Sequence, residues 1–210
     1  YGTSVSANRL VTVGGQFKHV PIVAESLYSI GCDIPDLPVL FALKRRHKDF
    51  LMVNEAHSIG MIGESGRCIC EHYGMAGKDV DVWMGTHSKT LAGCGGYIAG
   101  ERAMVEQLRY AAPGIVDSVG MAPPLVAASL EALNILLTEP NEYRDFVSEL
   151  VFFQLAGSAG IDTGYSAGHV VIPAFVDSSL KATKLSNQLF DADINVQPII
   201  YPAVEENLRT

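Results

Sequence analysis

The sequence predicts an α/β fold with a mostly parallel sheet, and two observations predict it. Short apolar and β-branched runs alternate with segments of helical character along the chain. Polar clusters directly follow two neighbouring apolar runs. In a parallel sheet the carboxyl ends of the strands share one edge, and ligands bind at that edge. The 210 residues suffice for one domain, or for a medium domain with a smaller partner.

The first part of the chain supplies the predicted sheet and its helices. Strands are predicted at His19–Ala24, Phe50–Val53, Val80–Met84 and Tyr97–Ala99. Helices are predicted at Pro38–His47, Glu101–Ala111 and Pro124–Leu137. The first of these has proline in its first turn and Lys44, Arg45 and Arg46 near its end, where cations suit the partial negative charge of a helix terminus.

A smaller α/β unit is predicted from residue 141 onward. Thr138-Glu139-Pro140 interrupts the helical pattern, so we place a larger domain at 1–140 and a smaller one at 141–210. Within the smaller domain we predict a helix at Glu142–Ala156, a strand at Val170–Val176, a helix at Ser179–Phe190 and a strand at Ile194–Ile200.

Composition argues against several classes of function. The net charge of −8 disfavours nucleic-acid binding, because binding phosphates requires a basic face. No apolar run approaches the length of about 18 residues that suggests a membrane-spanning helix. The four cysteines form no Cys-x-x-Cys pair and the six histidines no His-x-x-x-His pair, so we predict no metal site. We expect a cytoplasmic protein.

Two polar clusters carry the chemistry that the sequence predicts. Asn54-Glu55-Ala56-His57-Ser58 follows one predicted strand, and Gly85-Thr86-His87-Ser88-Lys89 follows the next. A partly buried lysine at a sheet edge would have a lowered pKa and act as a nucleophilic amine, as a Schiff base with an aldehyde cofactor requires. The hydroxyls of Thr86 and Ser88 suit a phosphate. A single lysine is usually a solvated residue and a single histidine a structural one, so the pairing of the two clusters carries the prediction.

The stretch Leu51–Gly100 resembles the α-oxoamine synthases, which are pyridoxal-phosphate (PLP) enzymes of fold type I. The resemblance continues through Ser26–Ile30, Ser118–Pro124 and Ile194–Pro198, and so covers almost the whole chain. This family includes 8-amino-7-oxononanoate synthase, 2-amino-3-ketobutyrate CoA ligase, 5-aminolevulinate synthase and serine palmitoyltransferase. It implies a large PLP-binding domain and a smaller C-terminal α/β domain.

The resemblance implies roles for individual residues. Lys89 corresponds to the lysine that forms the internal aldimine and moves protons at the amino-acid α-carbon. His57 would hydrogen-bond the ring oxygen of the cofactor, and Ala56 would lie against one face of the ring. Asn54 occupies the position that faces the ring nitrogen.

Other residues are implied as ligands at the edges of the site. Thr86, with Ser88 beside it, would bind the phosphate, and Ser29 would contact the cofactor from the neighbouring strand end. Ser118 or Gly120 would contribute to the phosphate site of the other subunit, and the sequence does not choose between them. Arg209 is the candidate ligand for the substrate carboxylate, although a terminal arginine without a role is an equal alternative.

The reaction implied is a decarboxylative condensation of an amino acid with an acyl thioester of coenzyme A or a carrier protein. The products are an α-amino ketone, CO2 and the free thiol, although some family members retain the carboxyl group. PLP acts as the electron sink. The family works as homodimers, so we expect a homodimer.

The sequence departs from the family pattern in three places. Asn54 stands where the family has aspartate, so we expect a weaker electron sink. Residues 1–12 and 17–23 resemble segments that are far apart in the family, which predicts a missing interior with a splice near residues 13–15. The chain also stops near the predicted substrate arginine. Two smaller departures are cysteines: Cys68 replaces a usual glycine, and Cys94 lies in the glycine-rich turn. We expect both to be small packing residues and not reactive thiols.

Two rival functions remain open from the sequence. The first keeps PLP and changes the reaction to transamination or another PLP reaction. The second is a catalytically weakened or non-catalytic paralogue or subunit, which Asn54 favours and the retained Lys89, His57 and Thr86 disfavour. A third possibility is that the chain is part of a longer, ordinary enzyme.

Overall fold

A four-stranded sheet forms the centre of the first part of the molecule. We describe a computed structural model, which covers residues 20–139, 147–169 and 171–204. The strands are β1 (Ile22–Glu25), β2 (Leu51–Asn54), β3 (Val82–Thr86) and β4 (Gly96–Gly100), in the order β1-β2-β3-β4. β1, β2 and β3 are parallel, whereas β4 is antiparallel to β3. The predicted α/β fold with a mostly parallel sheet is confirmed.

One face of β1 and β2 packs on the helix α1 (Leu37–His47). Alternate residues of the two strands, Ile22, Ala24, Leu51 and Val53, are buried together with Leu37, Leu40, Phe41, Ile69 and Val80. The register places Ile22 beside Leu51 and Ala24 beside Val53, so these four side chains share a face of the sheet. Full burial of a leucine or isoleucine stabilises a fold by about 1.5–3 kcal/mol, so this cluster stabilises the packing of α1 on the sheet.

Polar contacts fix both ends of α1. Asp36 caps the first turn by accepting a hydrogen bond from the Val39 N–H at 3.0 Å. At the other end Lys48 adopts a left-handed conformation with φ 55° and ends the helix. Lys44 forms an ion pair with Asp81 at 2.7 Å and donates to the Asp79 carbonyl at 2.7 Å. These contacts tie the end of α1 to the beginning of β3.

The remaining helices of the first part follow the sheet. They are α2 (Cys68–His72), α3 (Arg102–Ala111), α4 (Pro113–Val116) and α5 (Pro123–Thr138), with a 3₁₀ turn at Gly77–Asp79. The helices predicted at 38–47, 101–111 and 124–137 are therefore confirmed to within one residue at each end. Prolines open α4 and α5, in the position where the missing N–H costs no helical hydrogen bond.

The chain divides into two compact units, between residues 147 and 148. The second unit contains the helix α6 (Val147–Ser158), which starts at the boundary, and the helix α7 (Ser179–Phe190). The domain boundary predicted at residue 140 falls in a stretch outside the described residues and stays a prediction. Within the described ranges, no helix is both long and apolar enough to cross a membrane.

The two strands predicted in the second unit are wrong for the residues described there. Residues 171–176 and 194–200 form no strand in the structure. Their backbone groups find other partners: the Phe175 N–H donates to the Asp162 carbonyl at 2.9 Å, and the Val196 carbonyl accepts from the Ser186 hydroxyl at 2.6 Å. Pro173 and Pro198 also lack the N–H that a central strand position requires.

Candidate functional site

Three strand ends meet at one edge of the sheet. Because β1, β2 and β3 are parallel, their last residues, Glu25, Asn54 and Thr86, lie along the same edge. Glu25 is in register with Asn54, and Asn54 with Met84. β4 begins at this edge, with Gly96 opposite Thr86. The two polar clusters predicted from the sequence are thereby brought side by side.

Hydrogen bonds hold Asn54 rigidly at this edge. Its carbonyl accepts from the Ser26 N–H at 2.8 Å and from the Ser26 hydroxyl at 2.9 Å. Its side-chain Oδ1 accepts from the Ala56 N–H at 2.9 Å. The Glu55 N–H donates to the Met84 carbonyl at 2.8 Å, so the chain after β2 remains attached to β3.

A buried pair of serines supports the loops under the site. Ser26 and Ser58 are both fully buried, and their hydroxyl oxygens lie 2.5 Å apart. The Ser58 N–H donates to the Glu55 carbonyl at 3.1 Å. A buried hydroxyl requires a partner, and these two satisfy each other. The pair therefore joins the loop after β1 to the turn that carries Ala56 and His57.

Lys89 stands in a tight turn beyond the end of β3. The Ala92 N–H donates to the Lys89 carbonyl at 2.9 Å, and the Gly93 N–H donates to the His87 carbonyl at 2.6 Å. Thr90 donates its hydroxyl hydrogen to the Ile59 carbonyl at 2.8 Å, which ties this turn to the segment after His57. The partial burial predicted for Lys89 is wrong: the residue is exposed, because it lies past the last strand residue.

The pKa of His57 responds to charged groups on the neighbouring loops of this edge. Burial lowers the pKa of His57, and the charge of Lys89 lowers that pKa further. Glu25 acts in the opposite direction and raises the pKa of His57 in part. Lys89 and Glu25 therefore act on the pKa of His57 in opposite senses.

A second set of titratable groups lies behind the site. Burial raises the pKa of Glu55 to about 7, and a hydrogen bond with the Cys68 side chain offsets a part of this rise. Burial and the Glu55 charge raise the pKa of Tyr97 to about 12 and also raise the pKa of Cys68. Glu55 is therefore a partly buried carboxyl group with a pKa of about 7.

The sequence prediction missed Glu25 and the role of Glu55. Glu25 was missed because the predicted strand stopped one residue short of it, at Ala24. Its Oε2 is buried and accepts no hydrogen bond from the described residues. Counting the residue at each strand end as a site candidate would have found it, because parallel strand ends share an edge.

The hydroxyls predicted to bind phosphate bond to each other in this structure. Thr86 Oγ1 and Ser88 Oγ are 2.8 Å apart, and Thr86 Oγ1 donates to the Gly95 carbonyl at 3.1 Å. The Ser88 N–H donates to Thr86 Oγ1 at 3.2 Å. Since a hydroxyl has one hydrogen, binding a phosphate through either oxygen requires that hydroxyl to rotate.

The other predicted ligands lie further along the loops or outside the described residues. Ser29 is exposed in a turn closed by the Cys32 N–H, which donates to the Tyr28 carbonyl at 2.8 Å. Ser118 and Gly120 are exposed between α4 and α5. Arg209 lies outside the described residues. In the part of the chain that the structure covers, no group of three or more His, Cys, Asp or Glu side chains could hold a metal ion.

Comparison with known proteins identifies the family. The profile of the aminotransferase class I and II family matches residues 14–210. The chain belongs to this family. An 8-amino-7-oxononanoate synthase of Thermoanaerobacter pseudethanolicus is 32% identical over 199 residues, which cover 94% of this chain and 50% of that protein. A serine palmitoyltransferase of Sphingobacterium spiritivorum is 34% identical over 190 residues, which cover 89% of this chain and 47% of that protein.

Solved structures show the same fold. The serine palmitoyltransferase of Sphingomonas wittichii superposes with a TM-score of 0.85 at 24% identity, covering 96% of this chain and 51% of that one. The 8-amino-7-oxononanoate synthase of Francisella tularensis superposes with a TM-score of 0.75 at 20% identity, covering 92% and 58%. The predicted PLP fold type I and the resemblance to the α-oxoamine synthases are confirmed. The chain spans about half the length of the curated relatives it matches.

Proposed function

We propose that the edge formed by the ends of β1, β2 and β3 binds pyridoxal phosphate and that Lys89 holds it covalently. The observation that carries this proposal is that the loop after β2, which contains His57, is joined to the turn after β3, which contains Lys89, by the hydrogen bond from the Thr90 hydroxyl to the Ile59 carbonyl at 2.8 Å. Lys89 is an exposed primary amine at this edge, and such an amine can form a Schiff base with an aldehyde. A structure of a serine palmitoyltransferase carries a PLP internal aldimine.

The residues at this edge fit the cofactor by their chemistry. Thr86 and Ser88 offer two hydroxyls on one turn for a phosphate. Asn54 would offer an amide to the ring nitrogen and His57 an imidazole to the ring oxygen, and the small Ala56 would leave room for the ring. Ser29, at the loop after β1, completes the proposed set. Ser118 or Gly120 of one subunit would contact the phosphate of the other in a homodimer.

The bound cofactor supplies an electron sink for a carbanion at the α-carbon of an amino acid. The chain's own groups perform the remaining steps. The Lys89 amine would remove and return protons at the α-carbon of the amino acid. His57, whose lowered pKa keeps it neutral near pH 7, orients the ring oxygen and can donate one ring hydrogen to it.

We infer that the reaction joins an amino acid to an acyl thioester of coenzyme A or a carrier protein. A new carbon–carbon bond forms at the α-carbon, the thiol leaves, and the carboxyl group departs as CO2. The homology to 8-amino-7-oxononanoate synthase and serine palmitoyltransferase supports this class. Arg209 is proposed to bind the substrate carboxylate. The four unpaired cysteines fit a reducing compartment such as the cytoplasm.

The test measures products from the purified 210-residue chain with PLP, a panel of amino acids and a panel of acyl thioesters. The proposal predicts free thiol and CO2 in equal amounts, and neither from the matched variant Lys89→Arg. Formation of a keto acid without thiol release would instead establish an aminotransferase. PLP binding with no product from any pair would establish the non-catalytic alternative.

A further inference from the structure

Asn54 has a side-chain orientation that the backbone determines. The Ala56 N–H can only donate a hydrogen bond, so the atom that meets it at 2.9 Å must be the amide oxygen, Oδ1. The backbone of Asn54 is also fixed, because its carbonyl accepts two hydrogen bonds from Ser26. The amide therefore cannot flip without leaving the Ala56 N–H unpaired.

The other end of the amide is available. With Oδ1 held by Ala56, Asn54 presents its Nδ2 hydrogens away from that backbone group. Within the described residues, Nδ2 donates to no hydrogen-bond partner. An amide nitrogen carries only hydrogens to donate and has no lone pair for accepting a proton donor.

We propose that Asn54 Nδ2 donates a hydrogen bond to the ring nitrogen of pyridoxal phosphate and keeps that nitrogen unprotonated. This inference rests on the proposed function and specifies the electronic state of its cofactor. A hydrogen bond from Nδ2 requires the lone pair of the ring nitrogen, and protonation removes that lone pair. An aspartate in the same place would act in the reverse sense, because its free oxygen would accept a hydrogen bond from a protonated ring nitrogen.

Other charged groups near this edge do not replace that carboxylate. Glu25 is in register with Asn54 on β1, and its charge acts on His57. The Glu55 carboxyl group forms a hydrogen bond with the Cys68 side chain, which is part of the set of titratable groups behind the site. The charge of Glu25 would act against the effect of Asn54 on the ring nitrogen, so the variant Glu25→Gln is included in the test.

The substitution Asn54→Asp is a matched test, because it has nearly the same shape and retains an oxygen for the Ala56 N–H. The experiment uses PLP labelled with ¹⁵N in the ring, bound to the 210-residue chain, and records its ¹⁵N chemical shift near neutral pH. Free labelled PLP in base and in acid provides the two reference shifts. We expect the parent chain to give the shift of the unprotonated ring and Asn54→Asp to give that of the protonated ring.

A second measurement covers the case in which Asn54→Asp does not fold. The parent chain should bind N-methylated PLP about tenfold more weakly than PLP, because the methyl group removes the acceptor for Nδ2. Equal binding of the two compounds would overturn the inference.

Two further results would overturn the inference and leave the proposed function intact. The first is a protonated ring nitrogen in the parent chain. This result overturns the inference even if the ring nitrogen is unprotonated in Glu25→Gln. The second is an unprotonated ring in both the parent chain and Asn54→Asp, which would show that residue 54 does not contact the ring nitrogen. A chain that does not bind PLP at all would overturn both the inference and the proposed function.

Discussion

Glu55 links the candidate site to pH at the scale of a single residue. Burial raises its pKa from 4.5 to about 7 in the folded chain, whereas the unfolded chain keeps the ordinary value. Between these two pH values the folded state binds more protons than the unfolded state. The free energy of unfolding therefore decreases as pH rises through this window and becomes constant above it.

The variant Glu55→Gln should remove this pH dependence. At about 1.4 kcal/mol per pKa unit, the shift corresponds to about 3 kcal/mol across the window. Urea unfolding from about pH 5 to about pH 8 measures it. The parent chain should lose stability along this range, and Glu55→Gln should show a flatter profile. Identical slopes for the two chains would contradict the assignment.

The serine pair under the site gives a second prediction for single residues. Ser26→Ala removes a buried hydroxyl that bonds to the Asn54 carbonyl and to Ser58, and leaves the Ser58 hydroxyl with fewer partners. We expect it to lower the free energy of unfolding by about 1–3 kcal/mol. Ser158→Ala, at an exposed serine, is the control and should change it by less than about 0.5 kcal/mol. Urea denaturation of the parent chain and the two variants measures these free energies. Equal unfolding midpoints for Ser26→Ala and the parent chain would contradict a stabilising role of the serine pair.

At the scale of an element, α1 depends on its cap. Asp36 accepts a hydrogen bond from the Val39 N–H, and the buried face of α1 covers β1 and β2. Asp36→Ala should cost about 1 kcal/mol, because one N–H of the first turn loses its partner. Asp36→Asn keeps an oxygen there and should cost much less. A urea midpoint that falls equally in both variants would show that the cap is not the cause.

The elements also show how far the sequence predicts the fold. The helix predicted at residues 179–190 has the same bounds in the structure, where the Ser178 hydroxyl caps it by accepting from the Lys181 N–H at 3.2 Å. The direction of β4 was not predicted, since apolar runs carry no information on direction. The connection at residues 87–95 is nevertheless shorter than the dozen or more residues a parallel crossover needs, so it forces an antiparallel pair.

The strands predicted near the end of the chain show the limit of that approach. Apolar β-branched residues at 171–176 and 194–200 satisfied the strand pattern. A strand forms only where a neighbour offers its N–H and C=O groups, and the sequence pattern does not show whether a neighbour exists. The prolines in both runs were the contrary signal.

At the scale of the whole molecule, the site was predicted from the position of two polar clusters after two strands. The structure brings Asn54, His57 and Lys89 to one edge, as parallel strands require. The hydrogen bonds of Thr86 and Ser88 to each other and the contribution of Glu25 could not be predicted, because they depend on side-chain packing. The roles of the individual residues toward PLP stay predictions.

The covalent attachment of PLP to Lys89 is the central claim, and one measurement tests it most directly. The chain is incubated with PLP, reduced with borohydride and digested, and the peptides are identified by mass spectrometry. We predict that the reduced cofactor is found on the peptide that contains Lys89 and is lost in Lys89→Arg. Its absence from Lys89, or an equal distribution over the other lysines, would contradict the account.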